Sequence, residues 1–181
     1  ATSSETTDQD LIVSGGGEVV GNVADYATKQ GLRVTIVESE LVGGECSYWA
    51  CMPSKALLRS GNALRSARRV SGASEAITGG LDARAVLSRR TAFTSGWKDD
   101  GQVSWVESAG IDLIRGHASL DGAGRVGVDE RLYTARAVAL ATGSIPRIPE
   151  IAGLTEARPW GTREVTSADH VPERLIVLGG G

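Results

Sequence analysis

The amino-acid sequence predicts an α/β fold built on a parallel sheet, and three observations support this prediction. The apolar run at residues 10–14 enters the glycine triplet at 15–17, as a buried strand does when it ends in a tight turn. Apolar residues then recur at helical spacing between residues 19 and 27. A second apolar strand follows at residues 33–37 and ends at Glu38. A strand, a helix and a strand in this order form a βαβ unit, whose strands pair in parallel.

The middle of the chain predicts three further helical segments. Residues 54–70 carry leucines on one side of a helix and arginines elsewhere. Asp82 is placed to cap the next helix, and a third helical segment covers residues 96–110. This last segment contains Trp97 and Trp105, which we interpret as packing residues rather than cofactor contacts.

Further strands are predicted toward the C-terminal end. Residues 111–115 and 137–141 are strand segments, and the turn at 121–124 joins two short strands in a small antiparallel meander. A last apolar strand at 175–178 runs into the glycine triplet 179–181, which repeats the pattern found at the start of the chain. This repeat predicts that the sequence stops at the beginning of a second domain of the same kind.

Composition excludes several classes of function. The 181 residues carry a formal charge of −3 without a Lys/Arg block, which argues against nucleic acid as the main partner. No apolar run approaches the ~20 residues that cross a membrane. The polar and acidic residues 1–9 predict a disordered tail, unlike a secretion signal, and favour a cytoplasmic location. His117 and His170 lie far apart in sequence and far from both cysteines, so no metal site is predicted.

The only two cysteines, Cys46 and Cys51, are too close in sequence to make a useful structural staple, which favours a redox role. In a continuous α-helix residues at this spacing are separated by about 8.6 Å, whereas disulfides rarely span Cα atoms more than about 7 Å apart. A disulfide here therefore needs a break in helical geometry, for which Pro53 provides a reason. A helix starting at Pro53 would also place Cys51 near a positive dipole end, which favours the thiolate. The alternative is two unrelated buried thiols.

The first glycine turn has the pattern of a dinucleotide site. Such a turn binds a pyrophosphate through backbone N–H groups at a helix N-terminus, and an acidic residue after the second strand binds ribose hydroxyls. Gly15, Gly17 and Glu38 are placed for these roles. The third glycine of the G-x-G-x-x-G pattern is replaced by Val20, where overpacking would cost about 1–3 kcal/mol. Glu18 adds a negative charge near the expected pyrophosphate.

The motif G-G-x-C-x-x-x-x-C-x-P-S-K at residues 43–55, the βαβ unit and the later segment 141–144 occur in a characteristic order. Together they resemble the FAD-dependent flavoprotein disulfide reductases, the class I pyridine nucleotide-disulfide oxidoreductase family, which includes dihydrolipoamide dehydrogenase, glutathione reductase and mercuric reductase. The resemblance implies a Rossmann-like FAD-binding domain with a parallel sheet, helices and a small antiparallel meander. It covers nearly the whole chain, and within the family we expect a dihydrolipoamide dehydrogenase-like protein.

The resemblance also implies roles for individual residues. Cys46 would exchange with the substrate, and Cys51 would face the flavin. Lys55 would lie beside the flavin ring, and Ala118 belongs to a segment whose backbone meets the adenine. The cofactor-binding residues implied in this way are Gly15, Gly16, Gly17, Glu38, Gly44, Lys55, Ala118, Thr142, Gly143 and Ser144.

The same resemblance implies a domain plan and partners. Residues 10–153 would form the N-terminal part of the FAD-binding domain, and residues 154–181 a linker with the first strand and glycine turn of a truncated NAD(P)-binding domain. FAD is the implied cofactor, with NAD(P) in the full-length family. The implied partners are a small-molecule or protein-bound disulfide or dithiol and, for the full-length family, a second copy of the chain.

Three features depart from the family pattern. Tyr48 and Trp49 are bulky where small or amide residues are more common, and Glu45 replaces a more common threonine. The resemblance further implies a C-terminal interface domain that supplies a His–Glu acid/base pair, and we expect none of these 181 residues to provide that pair. A non-catalytic flavin-binding remnant or an inactive truncated product is therefore the alternative function, and a flavin-free thiol redox protein is a third.

Overall fold

The computed structural model describes residues 5–179 of the 181-residue chain, which separate into two compact units. The first unit contains the described residues up to Tyr48 together with Trp97–Arg147. The second contains Trp49–Gly96 and the described residues from Ile148 onward.

The first unit is built on one sheet. Its strands are β1 (Glu5–Ser14), β2 (Val34–Glu38), β3 (Asp112–Arg115), β4 (Ala118–Leu120), β5 (Arg125–Val128) and β6 (Arg131–Leu140). They occur in the spatial order β3-β2-β1-β6-β5-β4. β1 pairs in parallel with both β2 and β6, and β2 pairs in parallel with β3. β4, β5 and β6 form an antiparallel meander. This arrangement confirms the predicted α/β class with its parallel sheet and small meander.

The helices are α1 (Glu18–Lys29), α2 (Gly44–Tyr48), α3 (Cys51–Ala67), α4 (Ala83–Phe93), α5 (Asp100–Ser108) and α6 (Thr162–Ser167). Four of them, α1, α3, α4 and α5, follow the predicted pattern with changes at their ends, whereas α2 and α6 were not predicted. In the first unit α1 is the helix of the βαβ unit, and in the second unit α3 packs against α4 and α6. The predicted cap is present, because the Asp82 carboxylate accepts the N–H of Ala85 at the start of α4.

The core of the first unit occupies both faces of the sheet, as the uninterrupted apolar strands require. On one face, alternate residues of β1 and β2 pack against α1 and α5, through Val20, Ala24 and Val106. On the other face, Ile12 and Val37 pack against the meander. The carboxyl ends of β1 and β2 therefore meet the N-terminus of α1 at one edge of the sheet.

Two ends of the described chain differ from the sequence prediction. β1 begins at Glu5, within the segment predicted as a disordered tail, because its first residues pair with β6. The predicted buried strand at residues 175–178 is not formed, and the side chains Leu175–Leu178 are between 59% and 87% exposed. A strand requires a neighbouring backbone to bond with, and no described strand pairs with this segment. The last two glycines of the second triplet lie outside the described residues.

Candidate cofactor and redox site

The glycine turn after β1 can be built only from glycine at its first position. Gly15 has a φ of +104°, and a Cβ atom there would collide with the carbonyl oxygen of Ala141 at the end of β6. The Gly15 N–H donates to the carbonyl of Val37, with N and O 2.8 Å apart. The turn is therefore fixed between two parallel strands.

A second glycine pair lies alongside this turn. The Gly43 N–H donates to the Gly16 carbonyl at 2.7 Å, and a Cβ atom on Gly44 would lie 2.9 Å from the Gly17 Cα. Gly17 itself is the N-cap of the twelve-residue α1, and nothing lies within 4 Å of the place where its Cβ would be. We call Gly15, Gly16, Gly17, Gly43 and Gly44 together the cradle. It presents bare backbone and open space at a helix N-terminus, which fits the pyrophosphate of a dinucleotide.

Glu38 lies at the edge of the cradle, at the end of β2. Its half-buried carboxylate accepts the N–H of Gly16 and, at 2.7 Å, the N–H of Glu40. The predicted ribose-binding acid is thus held beside the glycine turn. Glu18, whose charge was expected to oppose a pyrophosphate, has an exposed side chain.

Val20 does not line the cradle. Its side chain is 1% exposed and belongs to the core cluster together with Val13 and Ala24. The following residue, Gly21, faces α5, where an added Cβ would be 3.5 Å from the ring of Trp105. The valine is therefore part of the helix–sheet packing of the first unit.

Sequence reasoning missed the carboxylate of Asp99, which binds the backbone immediately before the glycine pair 43–44 of the cradle. Asp99 accepts the N–H of Val42 at 2.8 Å and pairs with Arg115, which also donates to the Glu40 carbonyl at 2.6 Å. Partial burial raises the pKa of Asp99, but hydrogen bonds from Arg115 and Val42 outweigh this effect and hold it below the usual value. Asp99 also occupies the N-cap position of α5, but its side chain makes no capping hydrogen bond to that helix. No local signal could have revealed a bond between residues so distant in sequence.

Tyr48, which departs from the family pattern, is a packing residue at the end of α2. Its side chain is 1% exposed, and its hydroxyl lies 3.0 Å from Gln102 Oε1. Its backbone carbonyl accepts the indole N–H of Trp97 at 3.1 Å. Burial, followed by the charge of Asp99, raises the pKa of Tyr48 to about 12. These contacts hold α2, the helix that carries the partly buried Cys46, against other residues of the first unit.

Cys51 and Lys55 belong to the second unit. Cys51 is partly buried and is the first residue of α3, and the exposed Lys55 follows one helical turn later. The predicted break in helical geometry is present, because Trp49 and Ala50 separate α2 from α3. The helix begins two residues before Pro53 rather than at it, since the N–H groups of a first turn need no helical partner.

The remaining predicted residues all lie in the first unit. Ala118 opens β4 and is partly buried. The segment 142–144 follows β6 without regular structure and is exposed. Since the Ala141 N–H donates to the Ser14 carbonyl at 2.9 Å, this segment leaves the sheet beside the cradle. The structure thus brings the glycines, Glu38 and the start of this segment together.

Known proteins resemble this chain in sequence and in fold. A family model described as pyridine nucleotide-disulphide oxidoreductase matches residues 9–181. The chain is 32% identical over 176 residues to a mercuric reductase of Staphylococcus aureus, which covers 96% of the chain and 32% of that protein. It is 31% identical over 178 residues to a dihydrolipoyl dehydrogenase of Mycoplasma pneumoniae, covering 95% of the chain and 39% of the relative. The chain therefore spans about a third of the length of these relatives.

Among solved structures with the same fold is the Cu(II) complex of the HOCl-induced flavoprotein disulfide reductase RclA from Escherichia coli, with a TM-score of 0.67 and 19% identity. The likeness covers 83% of this chain and 32% of that one. Within residues 5–179, no helix has the length and apolar character needed to cross a membrane.

Proposed function

The chain belongs to the pyridine nucleotide-disulphide oxidoreductase family, and we propose that it is the FAD-binding part of a dihydrolipoamide dehydrogenase-like disulfide oxidoreductase. The observation that carries this proposal is the cradle with Glu38 at its edge. Backbone N–H groups at the start of α1 would bind the pyrophosphate, and Glu38 would bind the ribose. Open space at Gly17 leaves room for this approach.

Other residues of the chain would complete the cofactor site. Gly44 keeps the wall opposite Gly17 free of side chains, and Ala118 and residues 142–144 would contribute backbone from the first unit. Lys55 would hold a positive charge near the flavin ring. FAD, when bound, supplies two-electron transfer between a nicotinamide and the thiols.

The chemistry of the two cysteines follows thiol–disulfide exchange. The Cys46 thiolate attacks one sulfur of a substrate disulfide, and the other substrate sulfur leaves as a thiolate. The Cys51 thiolate then attacks the Cys46 sulfur, which forms the Cys46–Cys51 disulfide and releases the second substrate thiolate. The pair loses two electrons, and the two substrate thiolates take up protons from water. The reverse sequence oxidises a dithiol.

The whole protein would use NAD(P) and a small-molecule or protein-bound disulfide or dithiol. We extend the proposal to a homodimer in the cytoplasm, where reducing conditions suit a catalytic rather than a structural disulfide.

The visible absorbance spectrum tests the proposal. We expect the purified chain to retain FAD after excess cofactor is removed, and mild reduction to produce the long-wavelength band of a thiolate in contact with flavin. A Cys51→Ser variant should retain FAD but lose that band. A chain that is folded by circular dichroism and retains no FAD would contradict the proposal.

A non-catalytic flavin-binding module is the second candidate, because the cradle and Glu38 would serve FAD binding without a catalytic step. The two candidates differ in turnover. Nicotinamide reduction by a dithiol, measured with the FAD-loaded 181-residue chain, would eliminate the second candidate.

A further inference from the structure

Trp49, between the two cysteines, is bound twice by α6. The guanidinium carbon of Arg163 lies 4.1 Å from the centre of the Trp49 ring, a cation–π contact. The Thr166 hydroxyl lies 2.8 Å from the Trp49 carbonyl oxygen and 2.7 Å from the Thr162 carbonyl oxygen of its own helix, so its one proton is shared between two acceptors. We call Trp49, Arg163 and Thr166 the Trp49 clamp. All three residues belong to the second unit.

Pro53 removes the helical hydrogen-bond donor to the Trp49 carbonyl. In a continuous helix the carbonyl of residue 49 would accept the N–H of residue 53, and proline has no N–H to donate. The next carbonyl, that of Ala50, accepts the N–H of Ser54 at 3.1 Å, so the helical ladder of α3 begins there. The Thr166 hydroxyl, which also lies near the Thr162 carbonyl, is thus placed where it can donate to the carbonyl that lacks its helical donor.

The clamp is itself anchored. The side chain of Thr166 is 4% exposed, and α6 packs against α3. The Arg90 guanidinium, on α4 and 3% exposed, donates to the carbonyl of Thr166 and, at 2.8 Å, to that of Ala168. Since α4 also packs against α3, the residues that bind Trp49 and the helix that begins at Cys51 belong to one packed group of helices.

We propose that the Trp49 clamp positions the redox turn and thereby favours formation of the Cys46–Cys51 disulfide. The inference rests on the proposed function, because it assumes that these two thiols form a redox pair. In a continuous helix their Cα atoms would be about 8.6 Å apart, beyond the reach of a disulfide. By binding the Trp49 ring and carbonyl outside the helical ladder, the clamp keeps the chain non-helical at Trp49 and Ala50. Arg163 and Thr166 are then positioning residues.

The test measures the equilibrium of the 181-residue chain with glutathione. One glutathione disulfide oxidises the two thiols to one disulfide and is reduced to two glutathione thiols, so electrons and protons balance. Quenching with an alkylating reagent and mass spectrometry gives the oxidised fraction at each glutathione ratio. Thr166→Val removes the hydroxyl but keeps the shape, and Arg163→Met removes the cation but keeps the stem. We expect each to lower the oxidation constant about threefold.

Together the two changes should lower the constant about tenfold, which is about 30 mV for a two-electron couple. Thr166→Ser and Arg163→Lys, which keep the hydroxyl and the cation, should stay near the wild-type value. Arg84→Met, which removes an exposed charge from α4, is the control for charge alone. A merely structural role would lower the melting temperature of the Val and Met variants without changing their oxidation constants.

The outcomes separate this inference from the proposed function. If the wild type forms the disulfide and the folded Val and Met variants match its constant within twofold, the clamp has no positioning role. If the wild type forms no Cys46–Cys51 disulfide at any glutathione ratio, the redox pair itself is disproved. The proposal is supported if each of the Val and Met variants lowers the oxidation constant, if their combination lowers it further, and if the Ser and Lys variants keep the wild-type constant.

Discussion

At the scale of single residues, the cradle depends on glycines that serve different purposes. Gly15 is required by the backbone, since its φ is positive and Ala141 lies against it. Gly17 has a φ of −72° and open space around it, so the fold does not require glycine there. The absence of a side chain at Gly17 is useful only to a ligand that approaches the helix N-terminus.

This difference predicts opposite phenotypes for two matched substitutions. Gly15→Ala should lower the free energy of unfolding by about 2 kcal/mol or more, because alanine is disfavoured at positive φ and meets the Ala141 carbonyl. Gly17→Ala should leave stability within about 1 kcal/mol but weaken FAD binding at least tenfold. Urea unfolding and FAD titration measure the two effects. Equal FAD affinity of wild type and Gly17→Ala would contradict the placement of the pyrophosphate.

Asp99 predicts a pH dependence of stability. Its pKa is lowered in the folded chain, so its contribution is fully present above the unfolded value of 3.8 and is lost as pH falls through the lower folded value. We expect the stability difference between wild type and Asp99→Asn to shrink as pH falls from 6 to 2, as measured by thermal unfolding. A difference that is constant over this range would show that the Asp99 charge does not stabilise the chain.

At the scale of elements, α1 joins the cradle to the core. Its buried face carries Val20 and Ala24 against the sheet, and its N-terminus is capped by Gly17. The glycine expected at position 20 of a dinucleotide site is replaced by a side chain that fills the space between α1 and the sheet. The position of the helix end that would meet a pyrophosphate is therefore set by apolar packing.

Val20→Gly should accordingly destabilise the chain rather than relieve overpacking. Removing a buried isopropyl group and placing glycine inside a helix should together cost about 2–4 kcal/mol. Val19→Gly, at an exposed position of the same helix, should show only the difference in helix propensity, about 0.5 kcal/mol. Chemical denaturation of both variants measures this, and a Val20→Gly chain more stable than wild type would indicate overpacking.

At the scale of the whole molecule, the proposed cofactor contacts are divided between units. The cradle, Glu38 and the segment 142–144 lie in the first unit, whereas Cys51 and Lys55 lie in the second. The residues proposed to hold the adenosine diphosphate part of FAD are thus all in the sheet unit.

This division predicts which part of FAD stabilises the chain. A ligand at one hundred times its dissociation constant raises the free energy of unfolding by about 2.7 kcal/mol. FAD and ADP at matched saturation should both raise the melting temperature, whereas riboflavin, which lacks the adenosine diphosphate part, should not. Stabilisation by riboflavin alone would show that the cradle is not the main binding determinant.

The sequence allowed much of the fold to be predicted. The glycine triplet, the helical spacing after it and the apolar strand ending at Glu38 were enough for the βαβ unit, and the turn at 121–124 for the meander. The predicted strand at residues 175–178 was wrong, because an apolar sequence does not by itself provide a neighbouring strand to pair with. The roles of Cys46, Cys51 and the other site residues stay predictions, supported by family membership.

The sequence by itself determined the family, the α/β class, the glycine turn and the two-cysteine motif, because these depend on residue type and local spacing. Only the tertiary structure decided that Val20 belongs to the core and that Asp99 accepts the N–H of Val42 beside the cradle. It also decided that the Thr166 hydroxyl lies within hydrogen-bond distance of the Trp49 carbonyl. Each of these contacts joins residues distant in sequence or depends on which face of a helix is buried. Such contacts arise when elements pack, and no local pattern specifies them.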